Sequence, residues 1–116
     1  YVQLLNSMGD AFDFRLIPDK SETIHDCLIF FEKDEGLRKS YVDLLSLEGF
    51  GTKNLPDAIN WHCTAFWGHA LPPDQVEYSQ STKQLLSTAI AIPMWKRKTA
   101  AEYNELGCKL SEIRNS

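Results

Sequence analysis

The C-terminal segment, residues 94–114, carries the most regular apolar pattern in the chain and does most to limit its fold. The stripe has spacings of four or three residues, at Trp95, Thr99, Tyr103, Leu106, Leu110 and Ile113. Lys, Glu, Asn and Ser fill the positions between. Because residues three and four apart share one face of an α-helix, the pattern predicts a long amphipathic helix. Other elements or a partner must cover its stripe, which favours a fold built on helix packing.

Segments between the glycine and proline residues also carry apolar residues at helical spacing. One stripe consists of Ile24, Cys27, Leu28 and Phe31, at i, i+3, i+4 and i+7. Potential capping pairs begin three segments: Asp19 with Glu22, Asn54 with Asp57, and Ser81 with Gln84. Besides the C-terminal helix, we predict a helical turn over residues 1–8 and helices over residues 22–34, 37–48, 55–70 and from Ser81 through Ile90.

Residues 10–18 are the exception, because their pattern has period two. The apolar residues Phe12, Phe14 and Leu16 alternate with Asp13 and Arg15. Alternation is typical of a strand, but a lone strand would have no partner, so we expect an extended connection. The predicted fold is all-α: one helical domain over residues 1–116, an irregular bundle of about five helices with one extended or strand-like connection near residues 10–18.

The composition is that of one ordinary globular domain. Of the 116 residues, 43% are hydrophobic and 24% charged, which suits a packed core and not a disordered chain. No apolar run approaches the roughly 20 residues of a membrane span, and no export signal is visible. We expect a soluble protein, cytoplasmic by default, with no membrane partner. The widely spaced Cys27, Cys63 and Cys108 argue against disulfides and zinc and favour buried thiols.

The stretch NWHCTAFWGHA, residues 60–70, holds the densest group of chemically distinctive side chains. On a helix, His62 and His69 would share one side but lie about 10 Å apart, which argues against a common metal ion. A Cys63 nucleophile has no support beyond a neighbouring histidine. The stretch is apolar on nearly all sides, which favours a central core helix first and a pocket or interface edge second. The pocket or interface candidates are Trp61, His62, Phe66, Trp67, His69, Trp95 and Tyr103.

Charge is unevenly distributed along the chain, whose net charge is −4. Residues 1–60 hold eleven acidic and six basic side chains, whereas residues 61–116 hold five acidic and six basic ones. This balance argues against a nucleic-acid-binding protein, for which a basic face is typical. The basic cluster beside Trp95 consists of Lys96, Arg97 and Lys98 and leaves a weak nucleic-acid contact as a lesser alternative.

The sequence contains no recognisable nucleotide-binding, metal-binding or catalytic motif, so we predict no cofactor and do not favour an enzyme. The acidic N-terminal half, the apolar stretch and the C-terminal stripe favour a non-catalytic protein–protein interaction module. Such a module would be a homo-oligomer, such as a homodimer, or an immunity or adaptor type of protein. The alternative is a small-molecule binding protein or cryptic enzyme with an aromatic and histidine pocket around residues 61–69.

Overall fold

The computed structural model describes residues 1–19 and 21–116, and within them helices and strands are mixed. The helices are α1 (Val2–Met8), α2 (Glu35–Leu47), α3 (Ile59–His62), α4 (Pro73–Tyr78), α5 (Gln80–Leu86) and α6 (Ala100–Asn115), with a 3₁₀ turn at Thr64–Phe66. The strands are β1 (Asp13–Phe14), β2 (Cys27–Phe31) and β3 (Ala89–Pro93). The prediction of an all-α bundle is therefore wrong, because three segments of the described chain form a sheet.

The sheet is antiparallel and has the strand order β1-β2-β3. Its two longer strands pair along their whole length, from Cys27 opposite Pro93 to Phe31 opposite Ala89. One face carries Leu28, Phe30, Ile90 and Ile92, and the other carries Ile29, Phe31, Ala89 and Ala91. Helices α1, α2 and α6 cover the first face, and the segment between α2 and β3 covers part of the second.

β2 lies where the sequence predicts a helix over residues 22–34, and that prediction is wrong. The strand sequence CLIFF is apolar at every position, since both faces of the sheet are covered at β2. Periodicity cannot assign so short an apolar run, whereas its branched and aromatic residues favour a strand. Ile24, which starts the apparent helical stripe, is 95% exposed. The predicted cap at residues 19–22 includes Lys20, which lies outside the described residues, and no helix is formed by residues 21–26.

β3 and β1 differ from the predictions for residues 81–90 and 10–18. The helix predicted to start at Ser81 ends at Leu86, and the sequence AIAIP then forms a strand that is buried at every position. Alternating Ala and Ile residues fit this strand because the small side chains face the segment that packs closely on the second face. Residues 10–18 are not a lone connection, because Asp13 and Phe14 of β1 pair with β2.

The hydrophobic core lies between the first face of the sheet and helices α1, α2 and α6. Its buried members are Leu4, Met8, Phe12, Leu28, Phe30, Tyr41, Leu45, Phe50, Ile90, Ile92, Tyr103, Leu106 and Leu110. The rings of Phe12, Phe30 and Tyr41 contact one another with centroid distances of 5.3, 5.6 and 5.8 Å. Such tilted and edge-on contacts stabilise a core beyond the area that they bury.

α6 confirms the predicted C-terminal helix but begins later than its apolar stripe suggests. The Thr99 hydroxyl accepts the Glu102 N–H at 3.2 Å, and the Glu102 carboxylate accepts the Thr99 N–H at 2.7 Å. This capping box satisfies two backbone donors at the helix N-terminus and fixes the start of α6 at Ala100. The helix predicted over residues 37–48 is also confirmed, since α2 spans nearly the same residues.

The segment between α2 and β3 folds as a small lobe, which we call the insertion, residues 56–88. Contacts among α3, the 3₁₀ turn, α4 and α5 hold this lobe together. Ile59 and Leu86 attach it to the second face of the sheet, where they pack against Leu55 and the small alanine side chains of β3. The insertion therefore touches the main body along a narrow apolar seam.

This arrangement replaces the central helix predicted over residues 55–70, and that prediction is wrong. α3 ends at His62, because Cys63 adopts an extended conformation. Asn54, the predicted N-cap, has a φ of 67°, and the residue that precedes α3 is Ala58. Only the start of the stretch meets the sheet, so most of it has no apolar layer against which a central helix could pack.

Candidate functional site

An open groove on the insertion is lined by aromatic side chains and has a volume of about 570 Å³. We call it the aromatic groove, and its lining residues are Asn60, Trp61, Phe66, Trp67, His69 and Ala70. Four side chains that the sequence singles out therefore meet here, namely Trp61, Phe66, Trp67 and His69. The other candidates, His62, Trp95 and Tyr103, do not line this groove.

Local hydrogen bonds fix the backbone that carries the groove. The Cys63 N–H donates to the Ile59 carbonyl at 2.9 Å and closes α3. The Trp67 indole N–H donates to the Asn60 carbonyl at 3.1 Å, which folds the 3₁₀ turn back onto α3. The Cys63 side chain is buried, with 2% of its surface exposed. The walls of the groove are therefore set by short-range geometry within residues 59–70.

The groove side chains are exposed, apart from the half-buried Trp67, and do not belong to either apolar core cluster. Trp61 is 79% exposed and Phe66 is 36% exposed. Tyr78 on α4 and Leu85 on α5 are also exposed, so the insertion presents apolar groups beyond the groove itself. The Lys83 ammonium lies 4.8 Å from the centre of the Phe66 ring. Exposed apolar groups that cluster in this way mark contact surfaces more often than isolated ones do.

A second, smaller cavity of about 260 Å³ lies where the insertion meets the sheet. We call it the junction pocket, and it is lined by Asp26, Cys27, Ile29, Lys53, Asn54, Leu55, His62, Leu86 and Ala91. Its titratable side chains come from distant parts of the sequence, so no local spacing signals them, and sequence analysis misses this group. The structure also separates the two histidines of the stretch, since His62 lines the junction pocket and His69 the aromatic groove.

The charged groups of the junction pocket are paired. Asp26 and Lys53 form an ion pair, and the hydrogen bond from Lys53 lowers the pKa of the Asp26 carboxyl. Burial, assisted by the nearby Asp26 charge, raises the pKa of the Cys27 thiol. Because the thiolate is the nucleophilic form of cysteine, a raised pKa makes Cys27 a weak nucleophile. The pocket therefore does not favour cysteine catalysis.

The aromatic groove offers little chemistry of its own. The Cys63 sulfur is inaccessible to a substrate in the groove, because this side chain is almost completely buried. Within residues 1–19 and 21–116, no group of three or more His, Cys, Asp or Glu side chains is placed to hold a metal ion. The lining of the groove is predominantly aromatic, so it is suited to contact with apolar groups.

Trp95 and Tyr103 connect α6 to the end of β3. The Tyr103 hydroxyl accepts the Trp95 N–H at 2.7 Å and donates to the Pro93 carbonyl at 2.7 Å. The Trp95 indole N–H donates to the Phe50 carbonyl at 2.7 Å. Tyr103 is buried, and its two bonds join α6 to the end of β3. The Trp95 indole joins the same end of β3 to the segment that follows α2.

Two side chains of the basic cluster contact the C-terminal end of α2. Lys98 donates to the Glu48 carbonyl at 3.1 Å, and Arg97 donates to the Gly49 carbonyl at 3.5 Å. Positive charges are favourable at a helix C-terminus, where the last carbonyl groups lack partners. Arg97 and Lys98 therefore contribute to closing α2, while Lys96 is exposed.

Comparison of the chain with protein-family models, curated proteins and solved structures found no match. Within the part of the chain that the structure describes, no helix is both long and apolar enough to cross a membrane.

Proposed function

We propose that the chain is a non-catalytic protein–protein interaction module that binds a partner protein through the aromatic groove. The observation that carries this proposal is Trp61, whose side chain is largely exposed at the edge of the groove. Tryptophan is enriched among the residues that dominate binding energy at protein interfaces. A partner that covers this indole would gain roughly 25 cal/mol for each Å² of apolar surface removed from water.

The groove also needs little rearrangement before it can bind. Its 3₁₀ turn is tied to α3 by the bond from Trp67 to Asn60, and to the junction of α4 and α5 by a hydrogen bond between the Thr64 and Ser79 hydroxyls. A surface that is ordered before association loses less conformational entropy when the partner docks. More of the free energy gained by covering Trp61 is then available as affinity.

Charge around the groove indicates the chemistry of the partner. Lys83 lies over the Phe66 ring and forms no ion pair with any residue that the structure describes. We expect the partner to place a large apolar side chain in the groove and a carboxylate beside Lys83. Such charge complementarity would orient the partner and speed its association.

The proposal is tested by introducing a photo-crosslinking amino acid at position 61 or position 47 and irradiating the source cells. Leu47 is a matched control because it is also highly exposed but lies on α2. A protein that is captured only from position 61 is then purified, and its affinity is measured for the wild-type chain and for the Trp61→Ala and Leu47→Ala variants. We expect Trp61→Ala to weaken binding at least about tenfold and Leu47→Ala to leave it unchanged.

Equal capture from both positions, or equal weakening by both alanine variants, would contradict the proposal. Lys83→Gln provides a second check on the charge that flanks the groove. We expect this variant to weaken binding and to reduce its dependence on salt concentration, because one solvent-accessible attraction is removed.

Small-molecule binding is a second candidate function of the same groove. Its volume of about 570 Å³ falls in the range of ligand pockets. It ranks second because Trp61, largely exposed, would leave a bound ligand incompletely enclosed. Titration of tryptophan fluorescence with apolar ligands tests it: a saturable change in the wild type that Trp61→Phe abolishes would support ligand binding.

A further inference from the structure

β1 is an edge strand whose outer side is unpaired within the described chain. The Arg15 N–H donates to the Ile29 carbonyl at 2.9 Å, and the register pairs Phe14 with Phe30. Backbone groups alternate in direction along an antiparallel strand. The N–H and C=O of Phe14 therefore point away from β2, and neither bonds to another described segment. The sheet thus offers one donor and one acceptor at the middle of this edge.

The opposite edge of the sheet is covered within the same chain. The Lys53 N–H donates to the Ala91 carbonyl at 2.9 Å, and the Ala91 N–H donates to the Leu55 carbonyl at 3.1 Å. A new strand can therefore be added at β1 but not beside Ala91. Pairing of two copies through a single free edge closes after two molecules and does not continue into a fibre.

We propose that two copies of the chain pair through β1, antiparallel about a two-fold axis at Phe14, and form one continuous sheet. In this register the two Phe14 residues exchange both of their backbone hydrogen bonds. Asp13 of each copy lies opposite Arg15 of the other, and Phe12 lies opposite Leu16. The dimer therefore contains two symmetric pairs of opposite charge.

Charge complementarity is the main support for this partner. Asp13 and Arg15 are both exposed, and neither forms an ion pair with a residue that the structure describes. Opposite charges directly across a sheet are stabilising, whereas like charges are destabilising. Leu16 is 93% exposed, and a second strand beside β1 would cover part of this apolar surface.

The same charges also specify the register. Because only Phe14 and its even-numbered neighbours direct backbone groups outward, the pairing can shift only by steps of two residues. One such step places Asp13 opposite the other copy's Asp13, and the opposite step places Arg15 opposite Arg15. Both alternatives bring like charges together. The register centred on Phe14 is therefore favoured over its nearest competitors.

This surface is separate from the aromatic groove and does not depend on the function proposed for it. Residues 12–16 belong to the sheet edge, whereas the groove lies within residues 60–70 of the insertion. Loss of groove binding would leave the β1 dimer intact, and loss of the dimer would leave the groove intact.

Exchange of the charges at Asp13 and Arg15 tests the proposal. Dimerisation is measured by sedimentation equilibrium at chain concentrations up to about 0.5 mM. Asp13→Arg leaves Arg opposite Arg, and Arg15→Asp leaves Asp opposite Asp, so each variant alone should dimerise roughly tenfold more weakly than the wild type. An equimolar mixture of the two variants restores opposite charges at both positions. We expect this mixture to form heterodimers with about wild-type affinity, and the double variant D13R/R15D to form homodimers equally well.

Several results would overturn the proposal. These are a wild-type chain that stays monomeric throughout, single variants that dimerise like the wild type, or a mixture that fails to recover. Trp61→Ala is the control for assembly through the groove and should leave the dimer unchanged. Hydrogen exchange gives an independent readout, because the Phe14 amide should exchange more slowly at concentrations where the dimer forms.

Discussion

Gly107 of α6 lies against Ser7 of α1 so closely that a Cβ atom on Gly107 would be 1.8 Å from the Ser7 Oγ. The Leu4 carbonyl oxygen would lie 3.0 Å from the same atom. We expect Gly107→Ala to lower the free energy of unfolding by about 1–3 kcal/mol, measured by urea denaturation. This is the net decrease, after subtraction of the roughly 1 kcal/mol by which alanine is normally favoured over glycine inside a helix.

Removal of the opposing side chain distinguishes a local clash from a general effect of the alanine. In a Ser7→Gly background, the same Gly107→Ala change should cost less, because the hydroxyl and Cβ of Ser7 are gone. An equal cost in both backgrounds would show that the close approach of α1 and α6 at this point does not limit stability.

Tyr103→Phe tests the contact that joins α6 to the end of β3. The substitution keeps the aromatic ring but removes the partner of the Trp95 N–H and of the Pro93 carbonyl. We expect the free energy of unfolding to fall by about 1–3 kcal/mol, since buried backbone groups lose their hydrogen bonds. Tyr78→Phe removes a tyrosine hydroxyl at an exposed position and should change the free energy of unfolding by less than about 0.5 kcal/mol. Equal effects in urea denaturation would contradict this interpretation.

Glu102→Gln tests how the capping box of α6 responds to pH. The hydrogen bond from the Thr99 N–H lowers the pKa of the Glu102 carboxyl below its ordinary value of 4.5. Folding therefore favours the ionised carboxyl, and its contribution is full above that ordinary value and is lost as pH falls through the lower folded value. We expect wild-type stability to decrease more steeply than that of Glu102→Gln between about pH 6 and pH 3, as measured by thermal unfolding. Parallel curves for the two proteins would contradict the role of this carboxylate.

The helices that pack on the sheet are largely predictable from sequence, because their apolar residues face one core. Leu106 and Leu110 mark the buried side of α6, and Thr99 with Glu102 has the Ser/Thr-x-x-Glu spacing that could have located its start. β2 is less predictable, because a five-residue apolar run fits both a helical stripe and a strand that is buried on both faces. Its identity depends on pairing with β3, which is distant in sequence.

The candidate site is also only partly predictable from the sequence. Sequence analysis selects Trp61, Phe66 and His69, but it cannot show that they face solvent, because an apolar stretch suits a core and a binding surface equally well. Their exposure follows from the narrow seam that joins the insertion to the sheet. The junction pocket is harder still to predict, since Asp26 and Lys53 meet only after the chain folds.

Thiol labelling tests the burial of the three cysteines. Cys108 is exposed on α6, whereas Cys27 and Cys63 are buried. Burial also raises the pKa of the Cys27 thiol, which makes its reactive thiolate form rarer. We expect Cys108 to react with a thiol reagent at least about 100-fold faster than the other two, which should react at rates set by local opening of the structure. Mass spectrometry of digested protein identifies the labelled positions, and Cys108→Ser should abolish the fast phase. Labelling of Cys63 as fast as Cys108 would mean that the insertion opens readily in solution, and the groove could not then be an ordered surface.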